Sequence, residues 1–359
     1  MREELAESRR RLTDQLADLK CDSILISALP NIRYLSGFTG SNAALLLTGG
    51  SALLFTDPRY TIQAGAESDC RVKIVGGPLF PEVAKVIARL KLRRTGFERG
   101  RLVHGSYLEW VAGLPLGSRA VPLGPLTEQL RTVKSEGEQA LIRESVQLNS
   151  RAFERTVSKL KASATENDIA AELEYQMRRL GAEKPAFETI VATGPRSALP
   201  HAQPSGQRLF QDRLLLIDMG AVLAGYCSDM TRMLHLGKPA PKARQLYKAV
   251  LEAQLAALDR LREGVTANAV DSAARKILRA HGFDKQFVHS TGHGLGLEIH
   301  ETPRIGKRDK SRLKAGMVIT IEPGAYVEGF GGVRIEDTVL VTTNGYEVLT
   351  RTPKDLVTF

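Results

Sequence analysis

Two strand-like apolar runs in the second half of this 359-residue chain each end on a carboxylate, and each is followed by another carboxylate beyond a glycine-bearing turn. The first run is Leu214-Leu215-Leu216-Ile217-Asp218, with Asp229 eleven residues on, past Gly220 and Gly225. The second is Val318-Ile319-Thr320-Ile321-Glu322, with Glu336 fourteen residues on, past Gly329, Gly331 and Gly332. A hairpin turning at Leu223-Ala224 sets Asp218 opposite Asp229. One centred on Gly329 sets Glu322 opposite Glu336, although Pro323 disturbs it. Directly opposed residues have Cβ atoms about 4.5–5.5 Å apart. Two carboxylates that close, beside an apolar strand, repel in a poor dielectric. Either one keeps its proton or a cation sits between them. Two divalent cations balance four carboxylates.

A nitrogen donor narrows the choice of cation. The stretch His289-Ser290-Thr291-Gly292-His293-Gly294-Leu295-Gly296-Leu297-Glu298-Ile299-His300 supplies three histidines, and glycines around His293 allow close backbone approach. One imidazole with four carboxylates suits manganese, cobalt, iron or zinc better than calcium. Cys227, two residues before Asp229, is read as packing, because a hard carboxylate site does not favour a thiolate.

The rest of the chain predicts two domains, with the boundary between 122 and 135: residues 1–130 and 131–359. The first half alternates short strands and helices, an α/β pattern. Its helices are expected at 4–19 and 81–90 and a strand at 23–27. Ala43–Leu47 and Ala52–Phe55 form a hairpin around Gly49-Gly50, and Asn31–Gly37 reads as a loop. In the second half, Ser135 with Glu138 makes a capping box that opens a helix to about Lys161. Further helices are expected from Thr165 to Gly181, over 241–263 and over 266–281. Strands are expected at Thr189–Ala192, Leu214–Met219, Cys227–His235, Val318–Ile321 and Val333–Val341. The fold class is therefore α+β.

Composition removes several alternatives. The chain is 43% hydrophobic, too apolar for disorder, and no run is long enough to span a membrane. The first eleven residues lack the apolar segment of a secretory signal. Cys21, Cys70 and Cys227 are too few and too scattered for a disulfide framework. A cytoplasmic location is expected. The net charge of +10 raises nucleic acid as a partner. The basic excess is dispersed, however, and its densest patches, Lys91 to Arg101 and Lys307 to Lys314, carry no interleaved aromatics. A solvated basic surface is the reading, with neither nucleic acid nor membrane as partner.

These residues resemble the metallopeptidases of the pita-bread fold, the family of methionine aminopeptidase, aminopeptidase P and prolidase. The motifs match in order: Ile217-Asp218-Met219-Gly220, Ser228-Asp229-Met230-Thr231-Arg232, Thr291-Gly292-His293-Gly294, Ile321-Glu322-Pro323-Gly324 and Val333-Arg334-Ile335-Glu336-Asp337. The resemblance is strong over about residues 135–350. It implies a C-terminal pita-bread domain behind a smaller α/β creatinase-like domain, and a homodimer. It also implies two divalent metals, manganese first, with cobalt or zinc as alternatives. Asp218 would chelate one metal, His293 and Glu322 the other, and Asp229 and Glu336 would bridge. Glu322 would also be the general base. His201 and His300 would line the substrate pocket and assist proton transfer. His289 would be a further pocket residue, and Arg334 would pair with a ligand carboxylate.

Within the family, Ser197-Ala198-Leu199-Pro200-His201 and Leu297-Glu298-Ile299-His300-Glu301 look like the proline-specific branch. The stretch Asn31–Ser41 resembles aminopeptidase P more than prolidase. The resemblance therefore implies an X-Pro aminopeptidase, acting on peptides with proline in second position and needing no clamp for the proline carboxylate. Two alternatives stand beside it: an X-Pro dipeptidase, for which Arg33 offers a carboxylate-gripping guanidinium, and a non-catalytic peptide-binding module on the same fold. Relatives of the last kind typically lose metal ligands, and this chain keeps all five.

Overall fold

The alternating runs of the first half build one mixed sheet. In the computed structural model, which describes residues 2–358, its strands are β1 (Ser23–Ile26), β2 (Ala43–Thr48), β3 (Ser51–Thr56), β4 (Arg71–Ile74), β5 (Arg94–Glu98) and β6 (Arg119–Leu123). They lie in the order β4-β3-β2-β1-β5-β6, antiparallel through β1-β2-β3 and parallel at both flanks. Among the described residues six α-helices accompany them: α1 (Arg2–Thr13), α2 (Leu29–Ser36), α3 (Thr61–Glu67), α4 (Leu79–Arg89), α5 (His104–Ala112) and α6 (Leu126–Arg131). Val83, Ala84, Val86 and Ile87 of α4 pack with Trp110, Phe97 and the sheet into one core cluster.

Two expectations fail in this half. The first helix stops at Thr13 and gives way to turns. The Asn31–Gly37 stretch is helical. Pro30 falls in the first turn of α2, where its missing N–H costs nothing, and Gly37 closes the helix at φ 75°. The buried Glu98 carboxylate accepts from the backbone N–H groups of Ser27 and Ala28 at the helix start. Proline and glycine are here the start and stop signals of a helix, not marks of a loop.

The chain divides at Arg131/Thr132, and the second compact unit follows. It opens with α7 (Glu136–Val157) and α8 (Glu166–Arg179), both with complete capping boxes. Next come β7 (Lys184–Pro185), β8 (Ile190–Thr193), β9 (Leu214–Met219), β10 (Ala221–Leu223), β11 (Tyr226–Cys227) and β12 (Met230–His235). Then come α9 (Pro241–Leu258), α10 (Ala267–Ala280), β13 (Gly292–Gly294) and β14 (Glu301–Ile305). The last strands are β15 (Val318–Ile321), β16 (Gly324–Val327), β17 (Gly331–Arg334), β18 (Asp337–Val341), β19 (Tyr346–Val348) and β20 (Val357–Thr358). The longest sheets run β20-β12-β9-β8 and β14-β13-β15-β18-β19, largely antiparallel. The architecture is α+β.

Strand β9 explains why its sequence is apolar without alternation. Leu215, Ile217 and Met219 pack with residues of α7 and α8, whereas Leu214 and Leu216 pack with residues of α9 and α10. Covered on both faces, the strand has no solvent side to make polar. Asp218 continues the Leu214–Leu216 face, since side chains repeat every second residue.

The two carboxylate hairpins differ from expectation in instructive ways. In the first, the turn sits at Ala224-Gly225, both at positive φ (48° and 83°), one residue later than expected. That shift moves the register by two, so Asp218 faces Thr231 and Asp229 is its diagonal neighbour on the same side. In the second, Gly324↔Arg334 and Ile321↔Asp337 lie on one register, which sets Glu322 against Glu336 as expected. Neither of the long expected strands is continuous. The first breaks between β11 and β12, at Ser228 and Asp229, and the second between β17 and β18, at Ile335 and Glu336.

Strand β13 is held in place by the glycines that flank His293. A Cβ at Gly292 would lie 1.9 Å from the Thr320 carbonyl oxygen, and one at Gly294 2.4 Å from that of Thr302. Both close approaches are to backbone, which cannot yield cheaply. Gly292→Ala should therefore force β13 off β15 and cost about 1–3 kcal/mol or more. It should also lower metal retention, because His293 lies between the two contacts. Thermal denaturation and metal analysis check this; an unchanged melting temperature would show the strand spacing to be slack.

Candidate metal centre

Five side chains from five places in the second unit meet at one point. Asp218 closes β9, Asp229 precedes β12, His293 is the middle of β13, Glu322 follows β15 and Glu336 precedes β18. The Asp218, Asp229 and Glu336 residues are buried, at 8%, 5% and 2% exposure. His293 Nε2 lies 3.4 Å from Glu322 Oε1 and 3.6 Å from Asp229 Oδ2. One ligand atom each from Asp229, His293 and Glu336 falls within 4.8 Å of the others.

Backbone bonds hold the convergence. Where the ladders stop, the Glu336 N–H donates to the Thr231 carbonyl and the Glu322 N–H to the Thr291 carbonyl at 2.7 Å. Each acidic residue of the second hairpin is thus tied to the strand or loop that carries another candidate ligand. Asp271 of α10 accepts from the Thr291 hydroxyl at 2.8 Å and pairs with Arg275, whose guanidinium also donates to the carbonyls of Phe287 and His289. The 287–293 segment is therefore fixed from behind.

The electrostatics call for a cation. Burial, and then the charges of Glu336, Asp218 and Glu322, hold the Asp229 carboxyl well above its usual range. Burial, and then Glu322 and Asp218, do the same for Glu336. Burial pushes Glu322 up to about 7. Burial pushes His293 down, so its imidazole is neutral. Its Nδ1 lies 3.0 Å from the Gly294 carbonyl and donates to it, which leaves the Nε2 lone pair facing the carboxylates. Lone pairs aimed at one another are favourable only around a cation or a proton.

Two orphaned atoms make the fit specific. Asp218 Oδ1 and Glu336 Oε1 are buried and have no hydrogen-bond partner among the described residues. Their sister oxygens are satisfied: Asp218 Oδ2 accepts from Arg334 at 2.5 Å, and Glu336 Oε2 from the Thr231 hydroxyl at 2.7 Å. A buried acceptor without a donor costs about 1–3 kcal/mol. Oxygen donors with one imidazole suit a hard or borderline divalent ion, so the residues present fit a metal.

Among the described residues, Arg334 is the one guanidinium that donates to a carboxylate of the cluster. It donates to Asp218, to the Thr231 hydroxyl, to the Pro200 carbonyl and to the Tyr326 hydroxyl at 2.8 Å. His289 Nδ1 donates to the Ser290 carbonyl, so its Nε2 accepts from Tyr326 O–H at 2.8 Å. Burial, aided by the Arg334 charge, pushes His289 down to about 4, and burial pushes Tyr326 up to about 12. The run His289–Tyr326–Arg334 therefore keeps one proton arrangement at neutral pH. Thr231 and Tyr326 were not anticipated from the sequence. Thr231 could have been found from the corrected hairpin register, and Tyr326 stands four residues after Glu322.

His201 and His300 are exposed side chains. The His300 ring meets His293 edge-on at 4.5 Å between centroids. Burial, then the charges of His293 and His201, push His300 down. The His300 loop is fixed by Glu301, which accepts from the Glu298 N–H and pairs with the buried Lys134 at 3.1 Å.

Residues 140–343 match metallopeptidase family M24, and residues 9–133 match the creatinase/prolidase N-terminal domain. The chain belongs to family M24. A Pyrococcus horikoshii protein named Xaa-Pro dipeptidase is 36% identical over 353 residues, 98% of this chain and 99% of the relative. Among solved structures, an Xaa-Pro dipeptidase from Bacillus anthracis superposes with a TM-score of 0.96 at 36% identity, covering 99% of this chain and 100% of its own. An X-Pro aminopeptidase from Thermotoga maritima superposes at 0.91 with 38% identity, covering 98% and 99%. As an M24 metallopeptidase, the chain is a hydrolase.

The raised carboxyls predict how the metal-free protein responds to pH. Asp229, Glu322 and Glu336 bind protons in the folded chain at a pH where unfolded carboxyls have lost them. Stability contributed this way is complete below the ordinary carboxylate range and is lost as pH rises through the folded values, about 7 for Glu322. The loss from Glu322 alone is on the order of 3 kcal/mol. Chelated protein should therefore melt at a falling temperature between about pH 5 and pH 8, and saturating divalent metal should abolish the fall. A flat profile in chelator would mean that the cluster is not buried as described.

Proposed function

We propose that this chain hydrolyses X-Pro peptide bonds through two divalent metals held by Asp218, Asp229, His293, Glu322 and Glu336, and that it works as an X-Pro dipeptidase. The paired orphan oxygens of Asp218 and Glu336, beside the neutral His293, support the metal centre. Manganese suits this oxygen-rich set best, with cobalt or zinc as alternatives. Bound divalent metals supply Lewis acidity, acidifying water and polarising the scissile carbonyl. The side chains then have defined tasks. Glu322 would be the general base, taking the proton of the attacking water and returning it as the bond breaks. His300 and His201, both solvent-facing, hydrogen-bond the reacting carbonyl and hand a proton to the departing secondary amine. Arg334 holds Asp218, and Tyr326 holds Arg334.

Arg304 favours the dipeptidase over the aminopeptidase to which the N-terminal stretch points. It stands directly opposite His293 in the β13–β14 ladder, so both side chains leave the sheet on one face. It is exposed, its charge acts on both His293 and His300, and its guanidinium has no hydrogen-bond partner among the described residues. A free guanidinium beside the reacting centre suits the carboxylate of a C-terminal proline. The relatives named Xaa-Pro dipeptidase lend the same support. The aminopeptidase reading keeps the support of the Thermotoga maritima structure.

Kinetics on Gly-Pro and on an X-Pro-X tripeptide decide between them. A dipeptidase should prefer Gly-Pro at least tenfold in kcat/KM, about 1.4 kcal/mol, and lose both activities in chelator. Arg304→Gln should raise KM for Gly-Pro about tenfold with little change in kcat. Preference for the tripeptide, or an indifferent Arg304 variant, returns the reading to aminopeptidase. In the same assays His300→Ala should lower kcat by about 10²–10⁴ at unchanged metal content; wild-type turnover would leave His300 a packing residue.

A further inference from the structure

The loop that carries His201 begins and ends on one carboxylate. Glu166, the first residue of α8, is fully buried. Its Oε1 accepts from the Thr193 N–H at 2.8 Å, at the end of β8. Its Oε2 accepts from the Ser205 N–H at 3.1 Å and the Ser205 hydroxyl at 2.6 Å, twelve residues further on. The Arg196 Nε donates to both oxygens, at 3.1 and 2.9 Å, and its far end donates to the Gln203 carbonyl at 2.6 Å. The loop repays the contact, because the first amides of α8 donate to its far end: Glu166 N–H to the Gln207 carbonyl and Asn167 N–H to that of Ser205. Short loops whose ends are joined in this way are compact and often functional.

His201 sits within this clasp, and no bond of its own holds it. Its imidazole is exposed and makes no hydrogen bond among the described residues. Its place is set by the backbone on either side. On one side, the neighbouring Pro200 carbonyl accepts from Arg334, which holds Asp218. On the other, the chain returns to Glu166. We propose that Glu166 is a positioning residue of the hydrolytic reaction, clasping the 194–204 loop and so holding His201 over the metal face. This rests on the reading above that His201 meets the substrate. The hydrogen bonds of the Glu166 carboxylate go to Thr193, Arg196 and Ser205 and, among the described residues, to none of the five candidate ligands, and nothing in its helix position announces the role, since an acidic residue in a first turn is ordinary.

Glu166→Gln tests it. Either orientation of the amide turns an NH₂ towards N–H or O–H donors, so the clasp opens while side-chain volume is kept. In the full-length, metal-loaded protein, we expect unchanged metal content and faster amide exchange confined to 194–204. We also expect kcat on an X-Pro dipeptide to fall about 10–100-fold with little change in KM, the cost of a misplaced group. His201→Ala should fall similarly, and the double variant should fall no further than His201→Ala alone. Losses that multiply in the double variant, or wild-type turnover in Glu166→Gln, would overturn the proposal. His201→Ala at wild-type turnover removes the reading of His201 itself; a Glu166→Gln that is still slow then acts by another route, and the proposal falls too. If Glu166→Gln does not fold, Ser205→Ala carries the test, since it leaves the Arg196 pair intact. It should give an intermediate loss and faster loop exchange, and unchanged turnover and exchange would overturn the proposal.

Discussion

Negative charge gathered in a buried place has to be answered, and two adjacent residues show the two ways this chain does it. Glu336 and Asp337 point to opposite sides of the chain, as neighbours in extended backbone must. Asp337 is fully buried and answered from within: Arg232 at 2.8 Å, Lys354 at 2.6 Å and the Gln254 amide. Glu336 is also buried, but it receives one threonine hydroxyl and keeps an orphan oxygen. The fold can supply guanidinium and ammonium groups to a buried carboxylate when it needs to. That it supplies one guanidinium, Arg334, to a cluster of four means the remaining charge is left for something that is not a side chain. A metal centre follows from this imbalance.

The same constraint explains the broken strands. A continuous ladder would spend the backbone of Asp229, Ile335 and Glu336 on its own hairpin. Instead the ladders stop, and the freed N–H groups of Glu322 and Glu336 cross to Thr291 and Thr231. Those crossings lock the hairpins and the β13 strand into one body around the ligands. Irregular backbone beside a site is a device for aiming side chains, and here it aims several without adding a residue to hold them.

What the sequence could reveal followed from periodicity and turn chemistry. Strand β9 and strand β15 were legible to the residue, because an apolar run ending in a carboxylate has little freedom. The Glu322–Glu336 register was legible because three glycines mark its turn. The Asp218–Asp229 register was not, because Ala224 takes a positive φ that an alanine seldom adopts. The α2 helix was hidden because its proline and glycine act as start and stop signals and the amides just before it, Ser27 and Ala28, are satisfied by Glu98, 70 or more residues away in sequence. Long-range partners of this kind leave no local trace. Tyr326 and Glu166 were missed for the same reason: each looks ordinary among its neighbours, and only the fold brings Arg334 to one and Arg196 to the other.

The centre therefore has two layers with different physics. The inner layer is acidic, buried and crossed by backbone bonds, and any substitution there meets either a close contact or an unpaired charge. The outer layer is His201, His300 and Arg304, exposed side chains on loops or on a strand face. On the proposed metal centre, loss of an inner residue would remove the chemistry altogether, so the inner layer would not vary with the substrate. A change from a longer peptide to a dipeptide asks only that a free carboxylate be met, and one exposed guanidinium can do that without disturbing a buried bond. Substrate length should therefore be set by the outer layer, and motifs that report the inner layer are blind to it. This is why the five ligand motifs identify the family from sequence while leaving dipeptidase and aminopeptidase unresolved. Arg304, the residue proposed to separate them, comes opposite His293 only when β14 is laid against β13.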